Sequence, residues 1–310
     1  MTRMAFACAA ALVLGGCHAG SPPSPPPGLS PQPAPIDWTA DDSVHIAFLT
    51  AHGRRIEREG IVVWAPADSL DAQWVSHFSD SLARAVAGLK SLIGGPYAWQ
   101  RHAGQTVTYY LGPGRFIAHA SYSGAVFISL YHVRQGTGPF LHEAAHVFLS
   151  PPAPFFPYEY RDSLEIERVA AGFPFWLSEG LADYLAQSAA ESTGFREGDV
   201  FKVGGLARSD SVCAARLKSS PRREEIEARI GRPGRLDALF TTDRAQVAPT
   251  YYACSQAFTR YLVGRMGVRP VVTLFATVGS ETWLTDWTTA SGQPLEALRR
   301  AWLDSIGFEP

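Results

Sequence analysis

Residues 139–149 read PFLHEAAHVFL. On a helix, His142 and His146 are four residues apart, a net rotation of about 40°, so both imidazoles leave one face a turn apart. Two nitrogens placed this way reach a single ion at about 2.0–2.1 Å. Glu143 sits about 100° round from His142, beside the metal face, where its carboxylate meets a water on the ion more readily than the ion itself. Pro139 follows Gly136-Thr137-Gly138 and suits a first helical turn. Phe140, Leu141, Val147, Phe148 and Leu149 make the helix a buried one, and buried histidines need partners. Chance alone would give the five-residue pattern in roughly one chain in a hundred of this composition.

A zinc site needs a third protein ligand and an open position. Between Val147 and Pro157 there is neither the glycine nor the third histidine of a metzincin. Residues 175–184 instead read FWLSEGLADY, with Glu179 and Asp183 again four apart. HEAAH together with Trp176-Leu177-Ser178-Glu179-Gly180-Leu181-Ala182 resembles the gluzincins, the peptidase MA-like clan of thermolysin and the zinc aminopeptidases. That resemblance implies an α+β, zincin-like (thermolysin-type) catalytic domain. It implies one Zn²⁺ held by His142, His146 and Glu179, with Asp183 orienting the first histidine from behind. It implies a zinc-dependent metallopeptidase acting on a peptide or protein substrate, with Glu143 as general base to the attacking water. Residues 250–267, TYYACSQAFTRYLVGRMG, and 291–308 resemble later helices of the same proteins. There Tyr252 fits the residue that stabilises the oxyanion; Tyr251 is a rival, and both also fit core positions. The gap from His146 to Glu179 is longer than in thermolysin, and it contains Asp162, Glu165 and Glu167, none of them in a Trp-Leu-x-Glu-Gly context. The alternative is a catalytically inactive zinc-binding envelope lipoprotein serving as a binding or scaffold module.

The rest of the chain supplies the setting. It has 310 residues, 46% hydrophobic and 18% charged, with a formal net charge of −2; this is a globular balance that points to no nucleic-acid partner. Met1 to Cys17 reads as a signal peptide: Arg3, then an apolar run from Ala5 to Leu14 too short to span a bilayer. Its end, Leu14-Gly15-Gly16-Cys17, resembles the lipobox of bacterial lipoproteins, which implies lipidation at Cys17 and attachment to a membrane of the bacterial envelope. The residue after Cys17 is His18 and not an aspartate, which by the same resemblance points to the outer membrane. Residues 18–40 are rich in proline, serine and glycine and read as an extended tether. By the gluzincin resemblance, residues 41–310 are expected to form the catalytic domain, strand-rich over 41–135 and helical over 136–310. Cys213 and Cys254 are left as an even pair, a disulfide in an oxidising compartment or else two buried thiols.

Local patterns place the elements. Val44–Thr50, Ile61–Trp64, Thr106–Leu111 and Ala125–Tyr131 read as strands, with a turn at 51–55. The last of these precedes the histidine helix and is expected to bind substrate backbone by strand addition. Helical spacing predicts 68–93, capped by Asp68 or Ser69 and stopped at Gly94, and then 175–190, 222–231, 250–266, 270–278 and 294–306. Residues 151–174, with PPAPFFPYEY, are expected to be a lid, a pocket wall or a packed loop. His45, His52, His77, His102, His119 and His132 lack ligand spacing and are expected to be structural or solvated.

Overall fold

The computed structural model describes residues 42–94, 106–121, 124–149, 173–201, 203–232, 237–278, 280 and 282–308, with the backbone alone for 237–245. The signal, the tether, Cys17, His102 and nearly all of 151–174 lie outside the described residues.

The fold is α+β, with one five-stranded sheet and helices that take over after it. The elements in order are α1 (Asp42–His52), β1 (Gly53–Arg58), β2 (Ile61–Pro66), α2 (Ala72–Ile93), β3 (Val107–Gly112), β4 (His119–Ala120) and β5 (Ala125–Ser129). Then follow α3 (Leu130–Gln135), α4 (Phe140–Leu149), α5 (Phe175–Thr193), α6 (Ser209–Ser219), α7 (Arg223–Glu227), α8 (Asp237–Met266), α9 (Val268–Ala276), α10 (Trp283–Ser291) and α11 (Leu295–Ser305).

Two expectations for the front half need correction. Residues 44–50 are not a strand. They belong to α1, where His45 and Leu49, one turn apart, are the buried pair. The apolar run Val44 to Leu49 suits either element, and packing selects the helix by burying every fourth residue. The expected turn at 51–55 instead opens β1, whose sequence GRRIER hides its strand character because it is an outer strand with a charged, half-exposed face.

The sheet order is β1-β2-β3-β5-β4, with β2, β3 and β5 parallel and both ends antiparallel. β5 is therefore an inner strand with neighbours on both sides, and the edges of the sheet are β1 and β4. The strand expected over 125–131 ends at Ser129, with residues 130–131 in α3, and β4 already pairs with Val126 and Phe127 on the side that strand addition would use. Alternation divides the faces. Ile61, Val63, Val107, Tyr109, Leu111, Val126 and Ile128 join the core formed with α2, α4 and α5. Tyr110, Phe127 and His119 stack across three strands on the other face, where His45 of α1 meets Phe127.

Behind the sheet, α2 is capped by Asp71, whose carboxylate accepts the Trp74 N–H at 2.8 Å, and not by Asp68 or Ser69 as expected. It ends at Gly94 in the left-handed conformation, φ 64°. The start of α5 packs against α8, where Trp176 meets Phe258 at 5.0 Å. α8 runs through Pro249 and is longer than the 250–266 expected. Arg216 of α6 donates to the Pro249 carbonyl at 2.7 Å. Cys213 and Cys254 form a disulfide joining α6 to α8, Cα to Cα 4.8 Å. Of the other helices, 222–231 shortens to α7, while 209–219 and 283–291 were not expected. Among the described residues no helix is long and apolar enough to cross a membrane.

Candidate metal centre

α4 is short and buried almost all round. Its N-terminal turn lies under the sheet, where the Tyr109 hydroxyl donates to the Phe140 carbonyl at 3.3 Å. α5 crosses beside it and brings its second turn to the two histidines. Gly180, beside Glu179, lets this turn of α5 lie close against α8. A Cβ there would lie 2.2 Å from Thr259 Oγ1 and 2.4 Å from the Ser255 carbonyl oxygen, both on α8. The glycine of the Trp-Leu-Ser-Glu-Gly run is thus a packing requirement, and it fixes the turn that carries Glu179.

The result is a convergence of three side chains. His142 Nε2 and His146 Nε2 are 3.0 Å apart, and Glu179 Oε2 lies 3.4 Å from each. A tetrahedral ion with bonds of about 2.0–2.1 Å separates its ligand atoms by about 3.3–3.4 Å, so the triangle has the size of one face of such a site. Among the described residues this is the one group of three or more His, Cys, Asp or Glu side chains close enough to share an ion. All three residues have almost no exposed side-chain surface.

Electrostatics point the same way. Burial opposes charge on His142, but Asp183, Glu179 and Glu143 outweigh it and hold the imidazolium well above the usual histidine range. Burial likewise opposes charge on Glu179, and His146 and His142 reverse the effect and hold it well below the usual carboxylate range. Asp183 Oδ1 is 2.7 Å from His142 Nδ1. That bond fixes the ring so that Nε2 faces His146 and Glu179, the arrangement typical of a metal-binding histidine. Glu143 is fully buried, both its carboxylate oxygens lack a hydrogen-bond partner among the described residues, and burial raises its pKa.

Both tyrosines are buried. Tyr252 is fully buried and stacks on Phe201, ring centroids 4.3 Å apart. Tyr251 is 2% exposed; burial, then Glu179, raise its phenol well above the usual range, which keeps it a proton donor.

One residue of the centre has no signal in the sequence. Glu197, in the loop after α5, closes the first turn of α4. Its carboxylate accepts the N–H groups of Leu141 and His142, each at 3.0 Å. Burial raises it to about 8 against the pull of those two donors. Neither helical spacing nor a motif connects it to His142, 55 residues away.

Among the described residues the other histidines do not join the ligand group, but the Glu143 charge reaches His119, where burial opposes charge and Asp42, the Ile117 carbonyl and Glu143 together raise the pKa. His119 hydrogen-bonds Asp42 of α1 at 2.7 Å and stacks on Phe127, turned to the far face of the sheet. His132 pairs with Thr137 at 3.0 Å, and His45 is buried under Phe116.

No protein-family model matches the chain, and no curated protein is significantly similar to it in sequence.

Proposed function

We propose that this protein is a zinc-dependent metallopeptidase of the gluzincin type, with a zincin-like fold, and that His142, His146 and Glu179 hold the ion. The donor set of two imidazoles and one carboxylate favours zinc with an open position over a closed structural site. When bound, the ion supplies Lewis acidity and makes water a nucleophile near neutral pH.

The observation that carries the reading is Glu143. A buried carboxylate with neither oxygen partnered costs several kcal/mol to maintain. A scaffold has no use for that cost. A peptidase does, because a carboxylate raised by burial takes a proton from attacking water and returns it to the leaving amine. The remaining residues have supporting roles. Asp183 holds His142 in one tautomer. Glu197 anchors the turn that carries His142 and Glu143. Tyr252, with Tyr251 as the rival, is the candidate donor to the oxyanion. The edge strand β4 takes the substrate-pairing role first expected of β5. The lipobox-like start adds attachment to the bacterial envelope through Cys17.

The test is Glu143→Gln. It is expected to keep about one zinc per chain and to lose peptide hydrolysis by a factor of at least about 100. Full turnover by the variant refutes the mechanism. A wild-type protein that binds zinc but cleaves nothing in a peptide library establishes the scaffold alternative.

A further inference from the structure

α4 begins without a cap of its own. The first turn of a helix leaves backbone N–H groups that no carbonyl within the helix reaches, and a side-chain oxygen just ahead of the helix is the usual acceptor. Here the preceding residues are Gly138 and Pro139, which carry no such oxygen, and the hydroxyl of Thr137 is paired with His132. The Glu143 N–H makes a bond back to the Pro139 carbonyl at 3.1 Å. The N–H groups of Leu141 and His142 go instead to Glu197, in the loop that follows α5.

A cap supplied from so far along the chain has a consequence for the ligands. Residues 175–199 hold His142 twice. Asp183 of α5 lies 2.7 Å from its ring at Nδ1, and Glu197 accepts its backbone N–H at 3.0 Å. Ring and backbone together fix where Nε2 points, and Glu179 of the same segment stands 3.4 Å from that atom. The loop is itself held in place. The Gly198 N–H donates to the Gly138 carbonyl at 3.1 Å. Phe195 meets Phe140 edge-on, ring centroids 6.1 Å apart. Asp199 accepts the N–H groups of Val203 and Gly204 at 2.8 and 2.6 Å. Gly198 has no room for a side chain: a Cβ would lie 2.3 Å from the Thr137 carbonyl carbon and 2.6 Å from the Gly138 carbonyl oxygen. Glu179 and Glu197 are thus each followed by a glycine pressed against another segment, and each brings its carboxylate to His142, one to the ring edge and one to the backbone.

We propose that Glu197 is a positioning residue of the metal centre: through the amides of Leu141 and His142 it sets the place of both histidine ligands, so that zinc affinity, and not fold stability alone, depends on a residue outside both motifs. Without its carboxylate two donors at the start of α4 lose their acceptor, and the turn that carries His142 shifts relative to Glu179. His146, one turn on along the same helix, shifts with it. The proposal rests on the zinc-site reading and is independent of peptide cleavage.

The experiment measures zinc affinity by competition with a chelator, the visible spectrum of the cobalt(II)-substituted protein, and the melting temperature with and without zinc. Glu197→Ala is expected to weaken zinc binding about 10–100-fold, as loss of a group behind a ligand does. It should also change the cobalt spectrum and shrink the zinc-induced rise in melting temperature. Glu197→Gln keeps one acceptor oxygen and nearly the same shape, so it should fall between Glu197→Ala and the wild type, and it decides the matter if Glu197→Ala folds poorly. Gly198→Ala should weaken zinc binding with the carboxylate intact. Asp71→Ala is the control. It removes the cap of α2, whose carboxylate accepts the Trp74 N–H at 2.8 Å, and should lower the melting temperature while leaving zinc affinity within about twofold. Folded Glu197 variants that bind zinc within about twofold of the wild type, with an unchanged cobalt spectrum, overturn the proposal. So does an equal loss of affinity in Asp71→Ala, which would make the effect one of stability alone. A wild-type protein that binds no zinc refutes the metal centre and the proposal together. One that binds zinc and shows the expected order of variants, but cleaves no peptide, refutes the peptidase reading alone.

Discussion

Gly180→Ala is the smallest change that should damage the metal centre without touching a ligand. The added Cβ would meet Thr259 Oγ1 at 2.2 Å and the Ser255 carbonyl oxygen at 2.4 Å. Side chains almost never approach closer than 3.0 Å, and the Ser255 oxygen is backbone, part of a helix that the Cys213–Cys254 disulfide ties to α6. α5 and α8 must therefore separate by at least about 0.6 Å. Overpacking of this kind costs about 1–3 kcal/mol, and about 2 kcal/mol lowers the melting temperature of a domain this large by about 4–8 °C. The displaced turn carries Glu179 at its adjacent residue, so zinc affinity should fall at least about tenfold. Differential scanning calorimetry and a competitive zinc chelator measure both. Gly264→Ala is the control. It lies on the same α8, with nothing within 4 Å of an added Cβ, and should be neutral or stabilising by up to about 1 kcal/mol. A Gly180→Ala protein that melts and binds zinc like the wild type would refute the packing argument.

Three further outcomes follow from the same geometry. Asp183→Asn removes the carboxylate 2.7 Å from His142 Nδ1 and should weaken zinc binding about 10–100-fold while the fold persists. Because its carboxylate neighbours hold His142 protonated well above the usual range in the metal-free protein, binding must displace that proton. Apparent zinc affinity should therefore fall as pH drops, by about tenfold per unit below the raised pKa; an affinity flat between pH 8 and pH 6 contradicts this. Replacing both Cys213 and Cys254 with serine opens a 41-residue span and should cost about 4 kcal/mol in urea unfolding, with a loss under about 1 kcal/mol counting against a stabilising role.

What the sequence made legible was the part governed by helical periodicity. His142, His146, Glu179 and Asp183 sit at spacings of four on two helices, and one short motif marks each turn. Strands with long apolar alternation, β2, β3 and β5, were legible for the same reason. Three features were not, each on physical grounds. The apolar run at 44–50 fits a strand or a helix, and only burial of His45 and Leu49 on one face decides. β1 is largely charged because its outer face meets solvent, so it lacks a hydrophobic signal. Glu197 acts through backbone amides of a distant helix, and a side chain that binds backbone leaves no pattern in the residues it binds.

The central claim is that His142, His146 and Glu179 together hold one zinc ion. Zinc-edge X-ray absorption on the purified protein, with metal content measured alongside, tests it most directly. The account predicts one zinc per chain with two imidazole nitrogens, one carboxylate oxygen and one further light atom at about 2.0–2.1 Å, and loss of the carboxylate contribution in Glu179→Ala. A spectrum with no imidazole scattering, or one unchanged by Glu179→Ala, would contradict it.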